Sequence, residues 1–162
     1  MRIGVVSDSH GSRERLLRAI QEMGKIDWLF HLGDGARDLT AVAAAYDGPI
    51  TAVRGNQDFA HDLPPLAELT LEGQRILLTH GHTHHVKGGL APLIGYARER
   101  GARIVCYGHT HRADCSVLSG ILLVNPGSIA GARPGYAVLR IQGGKVTPSL
   151  HALGEAADRY DA

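Results

Sequence analysis

The first third of the chain alternates between short apolar runs and helix-like segments, a pattern that strongly limits its possible folds. Apolar strands are predicted at residues 2–6, 28–32 and 50–53. Helices are predicted between them, at 12–24 with Ser12 as the N-cap and at 38–46. Strands that alternate with helices are joined by parallel crossovers. We therefore expect a parallel sheet whose strands share one carboxyl edge.

The rest of the chain is typical of hairpins. Apolar runs separated by short turns predict strands at 66–71, 74–79, 103–107, 112–118, 121–124, 136–141 and 145–150, with a third helix at 89–100. We therefore expect an α/β fold, a two-sheet mixed β-sandwich flanked by helices, with a mostly antiparallel second half. No linker separates two cores, so residues 1–162 are predicted to form a single domain with a frayed or loosely docked tail from Ala152.

Charge and composition exclude several classes of function. The 17 Lys and Arg residues nearly balance the 16 Asp and Glu residues, so there is no polybasic stripe of the kind that binds nucleic acid. No apolar run approaches the roughly 20 residues of a membrane-spanning helix, and no signal peptide is recognisable. We expect a cytoplasmic protein. Cys106 and Cys115 are not spaced as a redox or zinc pair and are predicted to be buried in strands.

Metal-binding residue types follow the predicted strands. They are Asp8, His10, Asp34, Asn56, His80, His82, His109 and His111. Asp8 and His10 are two residues apart, as are His109 and His111, and in extended backbone such side chains point the same way. Carboxylate and imidazole groups without thiolates favour divalent Mn, Fe, Ni or Zn over a structural zinc site. One such residue alone is most often a solvated loop residue or a helix cap, but the whole set predicts a metal site.

The same residues carry a resemblance to a known family. Over residues 1–141, the chain resembles the calcineurin-like metallophosphoesterase superfamily in the order and approximate spacing of its motifs. These motifs are Asp8-Ser9-His10, Gly33-Asp34, Gly55-Asn56, His80 and Gly108-His109-Thr110-His111. Residues 54–58, 79–82 and 125–128 further resemble its small prokaryotic phosphodiesterases of the YfcE type.

This resemblance implies a four-layer α/β/β/α arrangement and a site for two divalent metal ions, Mn foremost, with Ni, Fe or Zn as alternatives. It implies that one ion is held by Asp8, His10, Asp34 and His111. The second ion would be held by Asp34, Asn56, His80 and His109, with Asp34 bridging the two.

The implied activity is that of a metal-dependent phosphodiesterase. Two cations roughly 3.5–4 Å apart would neutralise a phosphodiester and activate a bridging hydroxide for in-line attack, with Asp34 and Asn56 as catalytic ligands. The family often has a histidine at the position of Gln57, whose amide cannot donate a proton. Either another group such as His82 protonates the leaving group, or the enzyme relies on the metals alone and is most active with good leaving groups. We expect a small phosphodiester or nucleotide-like substrate, without a stable nucleic-acid complex or membrane association.

Several alternatives stay open at this point. A phosphomonoesterase or a dinucleotide polyphosphate hydrolase would use the same residues, and a non-catalytic scaffold resembling a retromer subunit would share the fold. A scaffold normally has eroded ligand positions, whereas here each position is filled. Oligomers occur among the resembling proteins, so a homo-oligomer remains open.

Asp58 and residues 125–128, which lie near the predicted ligands, each have two interpretations, and His31 has one. Asp58 is either an orienting partner of a ligand imidazole or a turn cap. Residues 125–128 form either a tight turn or a wall of the cleft, and His31 is predicted to pack within its strand.

Overall fold

The computed structural model describes residues 1–59 and 62–154 of the chain. The strands are β1 (Arg2–Val6), β2 (Trp28–His31), β3 (Ile50–Ala52), β4 (Leu66–Leu71), β5 (Gln74–Thr79), β6 (Ile104–Tyr107), β7 (Asp114–Leu118), β8 (Ile121–Asn125), β9 (Gly135–Gln142) and β10 (Lys145–Ala152). The helices are α1 (Arg13–Met23), α2 (Leu39–Ala45) and α3 (Ala91–Glu99), with short 3-10 turns at Ala36–Asp38 and His82–His84. All of the predicted strands and helices are present.

The strands form two five-stranded sheets. The first has the order β10-β9-β1-β2-β3, and its β1, β2 and β3 are parallel, as predicted. The second has the order β4-β5-β6-β8-β7, and its central strands β5, β6 and β8 are also parallel. The expectation of a mostly antiparallel second half holds for the pairs β4–β5, β7–β8 and β9–β10 but not for this parallel centre. The pairing of β5 with β6 is parallel because α3 carries the chain back across the sheet between them.

The sheets pack face to face over a shared core. Ile3 and Phe30 of the first sheet and Ile76 and Cys106 of the second belong to one buried cluster. A second cluster lies between the first sheet and helices α1 and α2, and a third between the second sheet and α3. The order of layers is therefore helix, sheet, sheet, helix. Burial of each Leu, Ile or Phe side chain stabilises the folded state by about 1.5–3 kcal/mol relative to leaving that side chain exposed.

Some local expectations are confirmed and others are wrong. Cys106 is buried as expected, but Cys115 is exposed because it lies on the edge strand β7. Ser12 precedes α1 without a capping side-chain hydrogen bond. Ala152 is not frayed but ends β10, while residues 155–162 of the predicted tail lie outside the described residues. Over the described ranges, no helix combines the length and the apolar character required to span a membrane.

Candidate metal centre

The loops after β1, β2, β5 and β6 meet at one edge of the two sheets. Asp8, fully buried after β1, is the centre of this arrangement. Its Oδ1 lies 3.0 Å from Nε2 of His80, 3.1 Å from Nε2 of His111 and 3.6 Å from Nε2 of His10. The parallel strand order explains the convergence, because carboxyl ends of parallel strands lie at the same edge.

Two groups of donor atoms have metal-binding geometry. One group consists of Asp8, His10 and His111, the other of Asp8, Asp34 and His80, with the donor atoms of each group within 4.8 Å of one another. Asp8 is common to both groups. Oδ2 of Asp34 lies 3.4 Å from Nε2 of His80 and 3.9 Å from Nε2 of His10, so it faces both groups as well.

The buried donor atoms fit a divalent cation. Nε2 of His10 is buried without a hydrogen-bond partner among the described residues, although Asp8 and Asp34 carboxylate oxygens lie just beyond hydrogen-bond range. An unpaired buried nitrogen is costly unless something else satisfies it. Carboxylate oxygens and neutral imidazole nitrogens together suit borderline divalent metals.

Left-handed backbone shapes the ligand loops. The φ angle is 53° at Asp8, 44° at His10, 55° at Asp34, 69° at His109 and 60° at His111. The expectation that Asp8 and His10, or His109 and His111, share a direction through extended backbone is therefore wrong. A non-glycine residue in this region costs of order 1–3 kcal/mol, and such strain concentrates at functional sites. Glycine would relieve the strain but would remove the donor atom.

Asp8 is held ionised by its surroundings. Burial alone would raise its pKa, but hydrogen bonding and charge from His80, with a hydrogen bond from Ser7, lower the pKa to about 2. The Ser7 hydroxyl donates to Oδ2 at 2.5 Å, and the backbone N–H of His109 donates to the same oxygen at 3.1 Å. These bonds engage Oδ2 and leave Oδ1 facing the histidines.

Asp58 clamps two loops together. Its carboxylate accepts backbone N–H groups of Asp34, Gly35, Ala36 and Gly55, at 2.8–2.9 Å. Burial would raise the pKa of Asp58, but these four hydrogen bonds outweigh burial and lower it. Of the two interpretations of Asp58, the loop cap is therefore the one confirmed, because its described bonds go to backbone and not to an imidazole.

His31 belongs to a buried polar chain rather than to simple packing. The backbone N–H of Gly33 donates to its Nδ1 at 3.2 Å, and its Nε2 lies 3.1 Å from the Ser9 hydroxyl. Ser9 in turn donates to Asp38 at 2.6 Å. Burial lowers the pKa of His31, so the ring is neutral at neutral pH. Ser9 lies between Asp8 and His10, so this chain ties the first ligand loop to the second.

Residues 125–128 form a turn that supports two ligand loops. The Asn125 amide donates to the Gly108 carbonyl at 3.2 Å and to the Thr110 hydroxyl at 3.0 Å. Ser128 donates to the Asp8 carbonyl at 2.9 Å. Both side chains are buried, so the tight-turn interpretation is confirmed and these two side chains line no cleft.

Two further predicted ligands, Asn56 and His109, lie outside the two donor groups. Asn56 is exposed, and it precedes Gln57, whose backbone N–H donates to Oδ1 of Asp34 at 2.7 Å. The His109 ring lies 4.9 Å from the His80 ring between centroids. Burial and the charge of His80 lower the pKa of His109 to about 4, which keeps the ring neutral and able to bind a cation.

His82 contacts a predicted ligand. Its Nδ1 lies 3.0 Å from Nδ1 of His80, and burial together with the charge of His80 lowers its pKa. With this contact, His80 has a partner on each of its ring nitrogens, His82 at Nδ1 and Asp8 at Nε2.

Ser7, Ser9 and Asp38 are supporting residues that were not predicted from the sequence. Ser7 bonds its neighbour Asp8, whereas the bond from Ser9 to Asp38 joins residues that are far apart in the chain. Short polar residues beside ligands are too common to stand out in a sequence. The adjacency of Ser7 and Ser9 to Asp8 was the only available signal.

Comparisons with known proteins agree with this geometry. Residues 1–144 match the model of the calcineurin-like phosphoesterase superfamily domain. A probable metallophosphoesterase of Bacillus subtilis, YsnB, is 37% identical over 91% of this chain and 88% of its own. The phosphodiesterase YfcE of Escherichia coli is 30% identical over 80% of each chain.

Solved structures share the fold. A predicted phosphoesterase of Streptococcus pneumoniae superposes with a TM-score of 0.78 at 30% identity, over 93% of this chain and 88% of that one. Vps29 of Entamoeba histolytica, at 21% identity and a TM-score of 0.77 over 94% and 99% of the two chains, is similar in fold alone. By its sequence match and its fold, the chain belongs to the calcineurin-like phosphoesterase superfamily.

Proposed function

We propose that this phosphoesterase is a dinuclear, divalent-metal-dependent phosphodiesterase. The observation that carries the proposal is the convergence of two buried carboxylates and three imidazole Nε2 atoms at one edge of the sheets, where the buried Nε2 of His10 has no partner among the described residues. Membership of a family that uses divalent metals supports the same conclusion.

The proposed ligand sets follow the sequence prediction. Asp8, His10, Asp34 and His111 hold one ion, and Asp34, Asn56, His80 and His109 hold the other. Asp34 is the proposed bridge, which is supported by the position of its Oδ2 between His10 and His80. Mn is the proposed metal, with Ni, Fe or Zn as alternatives.

When bound, a pair of divalent cations supplies charge neutralisation of the phosphate and a lower pKa of water. The residues of the chain supply the rest. Asp8 stays ionised because its pKa is about 2. His109 stays neutral at neutral pH because its pKa is about 4. Asp58 and the chain from Ser9 to Asp38 fix the loops, so little reorganisation accompanies binding.

His82 is the proposed proton donor to the leaving group. It is half-buried next to His80, on the loop that follows β5. Gln57 cannot take this part, since its amide does not titrate in the useful range.

The proposed substrate is a small phosphodiester or nucleotide-like compound. The name of YfcE, a relative at 30% identity, supports a diester over a monoester or a dinucleotide polyphosphate. The filled ligand positions speak against the non-catalytic scaffold. We further propose a cytoplasmic location, a single domain over residues 1–162, and no stable complex with nucleic acid or membranes.

Asp34→Asn tests the proposal, because it removes one carboxylate charge with almost no change of shape. We expect the variant to keep its fold by circular dichroism and to lose phosphodiester hydrolysis. Full metal-dependent turnover by Asp34→Asn would contradict the mechanism.

Profiling a monoester, a diester and a pyrophosphate under one metal separates the enzymatic alternatives, and preference for the diester is the expected result.

A further inference from the structure

A pocket opens beside the metal-binding edge. Its volume is about 410 Å³, and it is lined by His10, Asp34, Gly35, Arg37, Gln57, Asp58 and Phe59. Two of these residues, His10 and Asp34, are proposed metal ligands, so a molecule in the pocket would contact the centre. The volume lies within the range of roughly 300–1,000 Å³ that small-molecule sites occupy.

Phe59 presents an aromatic ring to solvent at this pocket. Its exposed fraction is 74%, the highest among the exposed large apolar residues of the described chain, and it is the one aromatic residue among them. Exposed phenyl rings are unfavourable in water, and they are a suitable surface for stacking of a planar base.

Arg37 supplies a cation at the same pocket. Its guanidinium lies against Gly11, where an added Cβ would come within 2.8 Å of Nη2, and Gly11 follows His10 directly. The neighbouring Arg13 is paired with Asp38 at 3.4 Å. Arg37 has no ion-pair partner within 4.0 Å in the part of the chain that the structure describes.

We infer that Arg37 and Phe59 form a nucleotide-binding subsite, in which Phe59 stacks on the base and Arg37 binds a phosphate. This inference rests on the proposed function, since it places the ester at the edge marked by His10 and Asp34. Guanidinium groups match phosphate oxygens in shape and charge, and an aromatic ring adds affinity for any base without selecting among bases. The substrate class is therefore a phosphoester that bears a nucleobase.

Calorimetric binding of AMP and of ribose 5-phosphate to the Mn-loaded protein tests the inference. The two ligands differ only in the base. We expect the wild-type protein to bind AMP about tenfold more tightly than ribose 5-phosphate. Phe59→Leu should abolish this difference and leave the affinity for ribose 5-phosphate unchanged, whereas the conservative Phe59→Tyr should preserve it. Phosphate release is followed in the same samples to detect turnover.

Arg37→Gln tests the second half of the subsite. It should weaken the binding of both ligands by a similar factor, because both carry the phosphate. Arg140→Gln is the matched control, since Arg140 is an exposed arginine on β9 and lines no part of this pocket. This control should bind both ligands as the wild-type protein does.

The results separate this inference from the proposed function. Equal binding of AMP and ribose 5-phosphate by the wild-type protein, or an unchanged AMP preference in Phe59→Leu, would overturn the subsite and leave the phosphodiesterase standing. Base-dependent binding that Phe59→Leu removes, in a protein that hydrolyses no ester with any metal, would overturn the phosphodiesterase but support the subsite.

Discussion

The Ser9 hydroxyl lies 3.1 Å from Nε2 of His31, and the proton in this contact comes from the histidine. Nδ1 of His31 accepts the backbone N–H of Gly33, so the neutral ring carries its proton on Nε2. Ser9 then uses its own proton to bond Asp38. A buried chain of directed hydrogen bonds thus joins the loop of Asp8 to the loop of Asp34.

Removal of the Ser9 hydroxyl should weaken metal binding. Ser9→Ala leaves His31 and Asp38 without their shared partner, and loss of such a supporting bond typically costs about 10–100-fold in metal affinity. The measurement is a calorimetric Mn titration. The control is Ser149→Ala, an equal truncation on the exposed strand β10, which should bind Mn normally. Unchanged Mn affinity in Ser9→Ala would show that the chain does not position the ligands.

Asp58→Asn should destabilise the protein in a pH-dependent way. Hydrogen bonds to a charged group are worth about 1.5–3 kcal/mol each, and the neutral amide keeps only part of that strength, so we expect a loss of about 2–4 kcal/mol at pH 7. Because folding lowers the pKa of Asp58, its contribution is present above the unfolded pKa of about 4 and is lost as pH falls through the folded pKa.

Urea unfolding at several pH values measures this difference. The free energies of unfolding of the wild-type protein and Asp58→Asn should differ most near pH 7 and converge below about pH 4. Asp47→Asn, at an exposed position after α2, is the control and should match the wild-type protein throughout. A difference that does not depend on pH would contradict the assignment of the clamp to the ionised carboxylate.

Gly108→Ala should displace Asp8. An added Cβ would overlap the Ser7 hydroxyl and lie 2.8 Å from Oδ2 of Asp8, which would disrupt the bonds that orient this carboxylate. We expect the variant to lose most of its Mn affinity. Gly95→Ala on α3 is the matched control, because its Cβ meets nothing within 4 Å, and it should be stabilised by about 0.5–1 kcal/mol. Normal Mn binding by Gly108→Ala would argue against a fixed Asp8.

His82→Ala distinguishes proton donation from positioning. A p-nitrophenolate leaving group needs no proton, whereas an alkoxide does, so we expect kcat for an alkyl phosphodiester to fall about 10²–10⁴-fold and kcat for the nitrophenyl diester to fall much less. The ratio of the two rates is the measurement. An equal fall for both substrates would assign His82 to the orientation of His80.

The strands and helices were predictable from the sequence, and so was the set of Asp and His residues that the fold gathers at one edge, because both depend on local patterns. The apolar run at 2–6 and the polar residues after it are visible without a structure. The left-handed backbone of Asp8 and His10 was not predictable, because neither position holds a glycine, the residue that usually signals this conformation. The same holds for the parallel centre of the second sheet, where turn residues indicate hairpins but α3 determines the pairing of β5 with β6.

The support of the site was the hardest part to predict. From the sequence, Asp58 could either orient a ligand imidazole or cap a turn. Its carboxylate bonds the backbone of Asp34, which is far away in the chain. His31 is buried at the end of β2 as predicted, but its hydrogen bonds could not be predicted because they connect loops whose proximity only the fold creates.

Hydrolysis by metal-stripped protein tests the central claim most directly. The protein is titrated with Mn, Ni, Zn or Mg while hydrolysis of bis(p-nitrophenyl) phosphate and of p-nitrophenyl phosphate is followed. We predict no turnover without metal, activity that rises to a plateau at about two ions per chain, and faster hydrolysis of the diester. Two ions bound per chain without hydrolysis of either ester under any metal would contradict the claim and favour the scaffold.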